Sequence, residues 1–250
     1  AGLFGSDMDI VNKVVDCLAR GRDKCDVFNH GMDAMTRFGD GMPVDQIQTI
    51  LEDAHQIILD TLGFNATTMI PHDHSWSPNV LQALRNMNYD IISVSINEGM
   101  QFDMTSDPLQ MPQQTETAYY NSTGRNWTKT PPKAILEDCQ AAYTAGDAAC
   151  VIMSHPHEFG LGTVSLNDLT EMIDLLEADG WSSATFHSSA SDYLVAEPND
   201  AAADFPSVPP SESPTKLEPT SASRSLLRQP RLLVRVVLQV TVEFTAMMVA

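Results

Sequence analysis

The sequence predicts an α/β fold, an incomplete or distorted (β/α) barrel of parallel strands with a disordered C-terminal tail. Segments with apolar residues at helical spacing alternate with short apolar runs, and polar, histidine-bearing segments follow several of those runs. Near residue 196 the alternation stops and the composition turns to Pro, Ser, Ala and Glu.

Ile10, Val11, Val14, Val15 and Leu18 recur at helical spacing within residues 9–20, and Gly21 follows as a stop. Residues 25–28 read as a strand that delivers Asn29-His30-Gly31 at its C-terminal end, where α/β folds place ligand groups. A helix over 43–62 carries Ile47, Ile50, Leu51, Ala54 and Ile58 near one face, closed by Gly63. A strand over 66–70 ends at Pro71. Then come a helix over 78–87, a strand over 91–96, a long irregular insertion to Pro132 and a helix over 133–144. The strand 149–153 ends at Ser154-His155-Pro156. Ser165, with Asp168 three residues on, caps a helix over 166–178, and Gly180 leads into a strand over 183–186.

These elements make one domain over 1–195, and 196–250 is read as a Pro/Ser-rich linker with an apolar tail. Residues 232–250 are apolar, but Arg235, Gln239 and Glu243 would each be costly at a bilayer centre. The expectation is an unpacked end and no stable membrane span. Small residues at 221–225 would suit a cleaved lipid-anchor signal, which those charges disfavour.

The formal net charge of -19 repels phosphate backbones, so nucleic acid is not an expected partner. An acidic surface tolerates neutral or cationic ligands such as partly deacetylated amino sugars, although its ordinary role is solubility. Asn-x-Ser/Thr triplets at Asn65, Asn121 and Asn126 point to a glycoprotein on a secretory route, hence secreted or extracellular. Four cysteines, Cys17, Cys25, Cys139 and Cys150, allow up to two disulfides and lack the spacing of a zinc knuckle or a redox pair. Residues 1–9 have no signal-peptide pattern and Ala1 is not an initiator, so the chain is expected to be mature or truncated at its start.

Strand ends run into Asn29-His30-Gly31-Met32-Asp33, Pro71-His72-Asp73-His74 and Ser154-His155-Pro156-His157-Glu158, which hold five of the seven histidines. Imidazole binds divalent metals when neutral and exchanges protons near neutral pH, so this clustering marks a candidate site. A histidine taken singly more often serves structure. His72 and His74, two apart, could chelate.

The order of these segments resembles the polysaccharide deacetylase family (carbohydrate esterases with a NodB-like homology domain). Residues 27–33 resemble that family's Asn-His-Gly-x-Asp-His motif. Met69-Ile70-Pro71, the helix around residues 79–84 and the strand 91–96 are similar to its strand, proline, helix, strand phrase. Val151-Ile152-Met153-Ser154-His155-Pro156 resembles its late strand ending in a catalytic histidine. The resemblance covers about residues 10–190. It implies hydrolysis of an acetamide or ester on a sugar polymer, with a water bound to zinc or a similar divalent metal deprotonated by a carboxylate and a histidine protonating the leaving group. On this resemblance His155 and Asp33 are the catalytic residues, His30 and Asp33 the metal ligands, and Pro71, His72, His74 and Trp76 the substrate contacts.

Departures from the pattern imply a truncated or degenerate version. The family's second metal histidine falls on Ala34, which has no lone pair to offer. Its aspartate pair should lie more than one strand and helix upstream of His30, where only Asp7 and Asp9 stand, one helix away. The usual Arg before the proline is replaced by Met69. The expected function is therefore an impaired metal-dependent hydrolase acting on N- or O-acetyl groups of a carbohydrate. Beside it stand a non-catalytic carbohydrate-binding relative, stacking sugars on Trp76, Trp127 and nearby tyrosines, and a truncated product without stable function.

Overall fold

Apolar runs too short for helices become parallel strands, and the periodic segments between them become the helices that cover the sheet. The structure, a computed structural model, describes residues 8–32, 36–39, 41–194 and 234–240. Helix α1 (Met8–Leu18) precedes strand β1 (Phe28–Asn29), α2 (Val44–Leu62) precedes β2 (Thr68–Met69), and α3 (Pro78–Asn86) precedes β3 (Ile91–Ile92). One extended segment supplies β4 (Leu109–Gln110) and β5 (Gln113–Glu116). The antiparallel hairpin of β6 (Ala118–Asn121) and β7 (Asn126–Lys129) follows. Then come α4 (Pro132–Ala145), β8 (Ala149–Ser154), α5 (Pro156–Gly160), α6 (Leu166–Ala178), β9 (Trp181–Ala184), α7 (Phe186–Leu194) and β10 (Val234–Val240).

Strands pair in parallel in the orders β1-β2-β3-β4 and β5-β8-β10-β9. Because β4 and β5 share one segment and a parallel bridge joins Ser95 to Gln113, the two sheets form one series from β1 to β9. Among the described residues no strand pairing closes that series. Its two ends are held by side chains instead: Thr185 Oγ1, just past β9, donates to the Arg22 carbonyl at 2.6 Å, and His187 N donates to Asp26 Oδ2 at 3.1 Å. The result is the expected class, a distorted and unclosed (β/α) barrel.

Strand periodicity divides the core. Ile70, Ile91, Leu109 and Val151 pack inward with Phe186 of α7. Their sequence neighbours Met69 and Ile92 pack outward with Ile47 and Leu51 of α2 and Val80 and Leu84 of α3. Cys150 and Ile152 pack with Ile135 of α4 and Met172 and Leu176 of α6. With both faces covered, β8 is buried at every position, which is why it reads as an unbroken apolar run. Replacing the fully buried Leu51 by Ala would cost about 2–5 kcal/mol.

Helix ends follow the sequence signals. Gly63 closes α2 in the left-handed region and donates to the Leu59 carbonyl. Ser165 and Asp168 form a reciprocal capping box at α6. The cysteines pair as Cys17–Cys25 and Cys139–Cys150, the second tying α4 to β8. No described helix is long and apolar enough to cross a membrane.

Three expectations need correction. The region read as an irregular insertion holds β4, β5 and the β6–β7 hairpin. The expected strand over 183–186 is displaced, since β9 ends at Ala184 and Phe186 already begins α7. Within the tail read as unpacked, β10 pairs with both β8 and β9, because a Val-rich segment has the stiff, branched side chains that favour extended backbone. The rest of that tail lies outside the described residues, and so do Asp33 and Ala34.

Candidate functional site

Parallel pairing sends the carboxyl ends of the strands to one side, and the histidines follow those ends. His30 follows β1, His72 and His74 form the turn after β2, Glu116 ends β5, and His155 follows β8. The His30 and His72 rings lie 5.5 Å apart between centroids. His74 is pushed down to about 4, first by burial and then by the charges that His155, His30 and His72 carry when protonated, with Asp73 acting in the opposite sense. These four imidazoles therefore share one region, and a proton placed on one opposes a proton on the next.

Each ring is held differently. Nδ1 of His30 lies 2.5 Å from the Ile70 carbonyl, and because a carbonyl only accepts, this nitrogen carries the hydrogen. His74 shows the reverse. Its Nδ1 accepts from the backbone N–H of Ser95 at 3.1 Å, so the neutral ring carries its hydrogen on Nε2. His72 Nδ1 is 3.6 Å from Asp73 Oδ1, beyond hydrogen-bond reach.

The backbone under these rings is strained and braced. Asp73 and His74 have φ of 52° and 53°, in the left-handed region that side chains other than glycine enter at a cost of about 1–2 kcal/mol each. Arg37 Nη2 pairs with Asp73 Oδ2 at 2.5 Å, and Ser75 Oγ accepts from Phe38 N at 2.9 Å while donating to the His72 carbonyl. Under His30, the buried Asn29 donates to the Leu51 carbonyl at 3.2 Å and to Tyr89 Oη at 2.7 Å. Burial pushes that phenol up to about 12, with the Asn29 hydrogen bond pulling the other way.

Around His155 the arrangement is that of an oriented acid–base group. Its Nδ1 donates to Glu158 Oε1 at 2.9 Å, and the Glu158 side chain is fully buried. Thr117 Oγ1 contacts Glu158 Oε2 at 2.5 Å and Ser154 Oγ at 2.9 Å, which satisfies the second carboxylate oxygen. Glu116 lies close enough for His155 to pull its carboxyl down, but burial is the larger effect and holds it above the usual range. Trp127 of β7 packs on His155 with ring centroids 5.3 Å apart. With Nδ1–H committed to Glu158, the neutral ring keeps its lone pair on Nε2, the atom able to take and return a proton.

Of the residues named from sequence, the structure brings His30, His72, His74 and His155 together. Pro71 is the extended residue from which the His72–His74 turn starts. Trp76 packs against the α2–α3 core cluster and donates from Nε1 to the Glu98 carbonyl at 3.1 Å. Glu158, Thr117 and Glu116 were missed. Glu158 stood in view, three residues after His155, but a helical turn there was not expected.

Among the described residues no three His, Cys, Asp or Glu side chains converge to hold a metal ion. His74 is not available as a donor, because it spends its Nδ1 lone pair on Ser95 and leaves an N–H at Nε2. The described residues do not fit the divalent metal that the resemblance implies.

No protein-family model and no curated protein matches the chain. Among solved structures it is similar to a protein of Mycobacterium smegmatis assigned as a polysaccharide deacetylase, with a TM-score of 0.57 and 17% identity over 82% of this chain and 74% of that one. A family 4 acetyl xylan esterase from Clostridium thermocellum in complex with a cobalt ion aligns with a TM-score of 0.46 and 15% identity, over 75% of this chain and 73% of that one. The Xyl-CE4 domain of a multidomain xylanase from the hindgut metagenome of Trinervitermes trinervoides aligns at 0.45 and 14%, over 77% and 75%. The first likeness shows the fold: this chain shares the overall architecture of that Mycobacterium smegmatis protein.

Proposed function

We propose that the chain is a carbohydrate-acetyl hydrolase of low turnover that works at the carboxyl ends of the strands, with His155 as the proton-transfer group. The observation that carries this reading is the fixed His155–Glu158 pair beside three further histidines on a deacetylase fold. In such a reaction water adds to the acetyl carbonyl, the acyl C–O or C–N bond breaks, and the sugar oxygen or nitrogen leaves with a proton. His155 takes at Nε2 the proton that the adding water gives up and returns it to the leaving oxygen or nitrogen, while Glu158 keeps the ring in one tautomer and stabilises its charged form. A divalent metal would supply an activated water. Because the described donors do not fit one, no step is routed through it, and turnover is expected to be low.

A neutral polymer suits an acidic chain better than nucleic acid does. Two disulfides, with Asn65 and Asn126 both exposed, support a secreted glycoprotein. A second reading, a non-catalytic carbohydrate binder, is favoured by the aromatic residues of the β6–β7 hairpin beside His155.

The test is acetate release from acetylated xylose and N-acetylglucosamine oligomers, with and without chelator. Slow release that His155→Ala abolishes is expected. Fast release that is indifferent to His155 would sink the mechanism, and no release with sugar binding intact would favour the second reading.

A further inference from the structure

We propose that the β6–β7 hairpin is a stacking arm that holds one pyranose ring of a neutral oligosaccharide against Tyr120 and Trp127, next to His155. This deepens the carbohydrate reading above and rests on it.

The register pairs Tyr120 directly with Trp127, so their side chains share one face of the hairpin. Their ring centroids are 5.7 Å apart, and the next step, from Trp127 to His155, is 5.3 Å. Trp127 therefore contacts both Tyr120 on the arm and the proton-transfer group. Tyr120 is 53% exposed, an aromatic surface left to solvent beside Trp127.

The arm is anchored at its base. Thr130 N donates to the Thr117 carbonyl at 2.9 Å, and Lys129 Nζ reaches Asp168 Oδ1, in the first turn of α6, at 2.7 Å. Thr117, at the foot of β6, also hydrogen-bonds Glu158, so the arm and the orienting carboxylate share one support. A platform fixed in this way binds without first being ordered.

The ligand class follows from the chemistry of the surface. One face of a pyranose presents C–H groups and its rim presents hydroxyls, which matches an apolar ring face carrying a phenol or indole polar edge. A chain with net charge -19 does not repel a neutral sugar, whereas an anionic polymer would be repelled.

The experiment is titration calorimetry of the full chain with a soluble N-acetylglucosamine oligomer and a xylose oligomer, with acetate release assayed separately. Tyr120→Ala should weaken binding about five- to tenfold and Tyr120→Phe by less than about twofold, since the ring face rather than the hydroxyl carries the contact. His155→Ala should lose acetate release. Circular dichroism checks that each variant folds. Wild-type affinity in Tyr120→Ala, or no binding of either oligomer by the wild type, would overturn the arm. Self-association that depends on Tyr120 without sugar binding would assign the surface to a second copy of the chain and overturn it equally. Acetate release with an unchanged Tyr120→Ala affinity would remove the arm and leave the hydrolase standing. Tyr120-dependent binding without release would do the opposite.

Discussion

Glu158 Oε1 accepts from His155 Nδ1 at 2.9 Å across one turn of the short helix α5, and the carboxylate has no solvent contact of its own. A buried carboxylate is tolerated only where its oxygens are satisfied, and here His155 takes one while Thr117 takes the other. The pair therefore fixes the imidazole more firmly than packing alone would.

Glu158→Gln preserves shape and can still accept from His155 through its carbonyl oxygen, but it removes the charge that stabilises the protonated ring. Acetate release should fall about ten- to hundredfold with little change in melting temperature. Acetate release unchanged in Glu158→Gln would show that Glu158 does not act through His155.

His74 gives a pH prediction. Its folded form is held at about 4 against an ordinary 6.5, so the unfolded chain binds this proton first as the pH falls. Folding stability from this group is fully present above 6.5 and is lost progressively as the pH drops towards 4. Urea unfolding at about pH 7.5 and about pH 5 should show the loss, and His74→Asn, which keeps an acceptor for the Ser95 N–H, should flatten it. An unchanged slope in that variant would place the titrating group elsewhere.

Some of this site was legible from residues alone. His30, His72 and His155 each follow an apolar run, and the direction of a parallel sheet does the rest. The tautomer of His74 was not legible, because it depends on a backbone N–H twenty-one positions later. The β6–β7 hairpin was passed over because Tyr119 and Tyr120 are both exposed and break the simple alternation. Its turn signals, Asn121 to Gly124 followed by Trp127 and Thr128, were present. Ser165 and Asp168 were read correctly because a capping box is a local device.

Gly31 is a position where backbone freedom matters. It has φ of +93°, and a Cβ there would sit 3.3 Å from the Phe38 ring, which is fully buried. Its N–H is also tied to Asn29 Oδ1 at 2.9 Å. Gly31→Ala should destabilise the fold by about 1–2 kcal/mol and displace His30, seen as a lower melting temperature together with reduced acetate release. A fully stable variant would mean that this turn relaxes freely.

The last prediction concerns β10, where the Pro-rich stretch before residue 234 disguised a strand. Val234, Val236, Val237 and Val240 make four branched residues in seven, a pattern suited to extended backbone. Its register runs from Arg235 opposite Ala149 to Val240 opposite Ser154 on one side, and from Val234 opposite Trp181 to Val237 opposite Ala184 on the other. Without it β8 and β9 lose their shared neighbour, and the facing N–H and C=O groups of β8, a strand buried at every position, lose their partners. Each such group costs about 1 kcal/mol or more, so a chain ending at residue 233 should lose at least about 3 kcal/mol of stability. Val237→Pro, which removes one ladder N–H, should lose part of that. Since β8 also carries His155 at its end, both variants should reduce acetate release. Equal melting temperatures for the shortened and full chains would show that β8 and β9 are satisfied without β10.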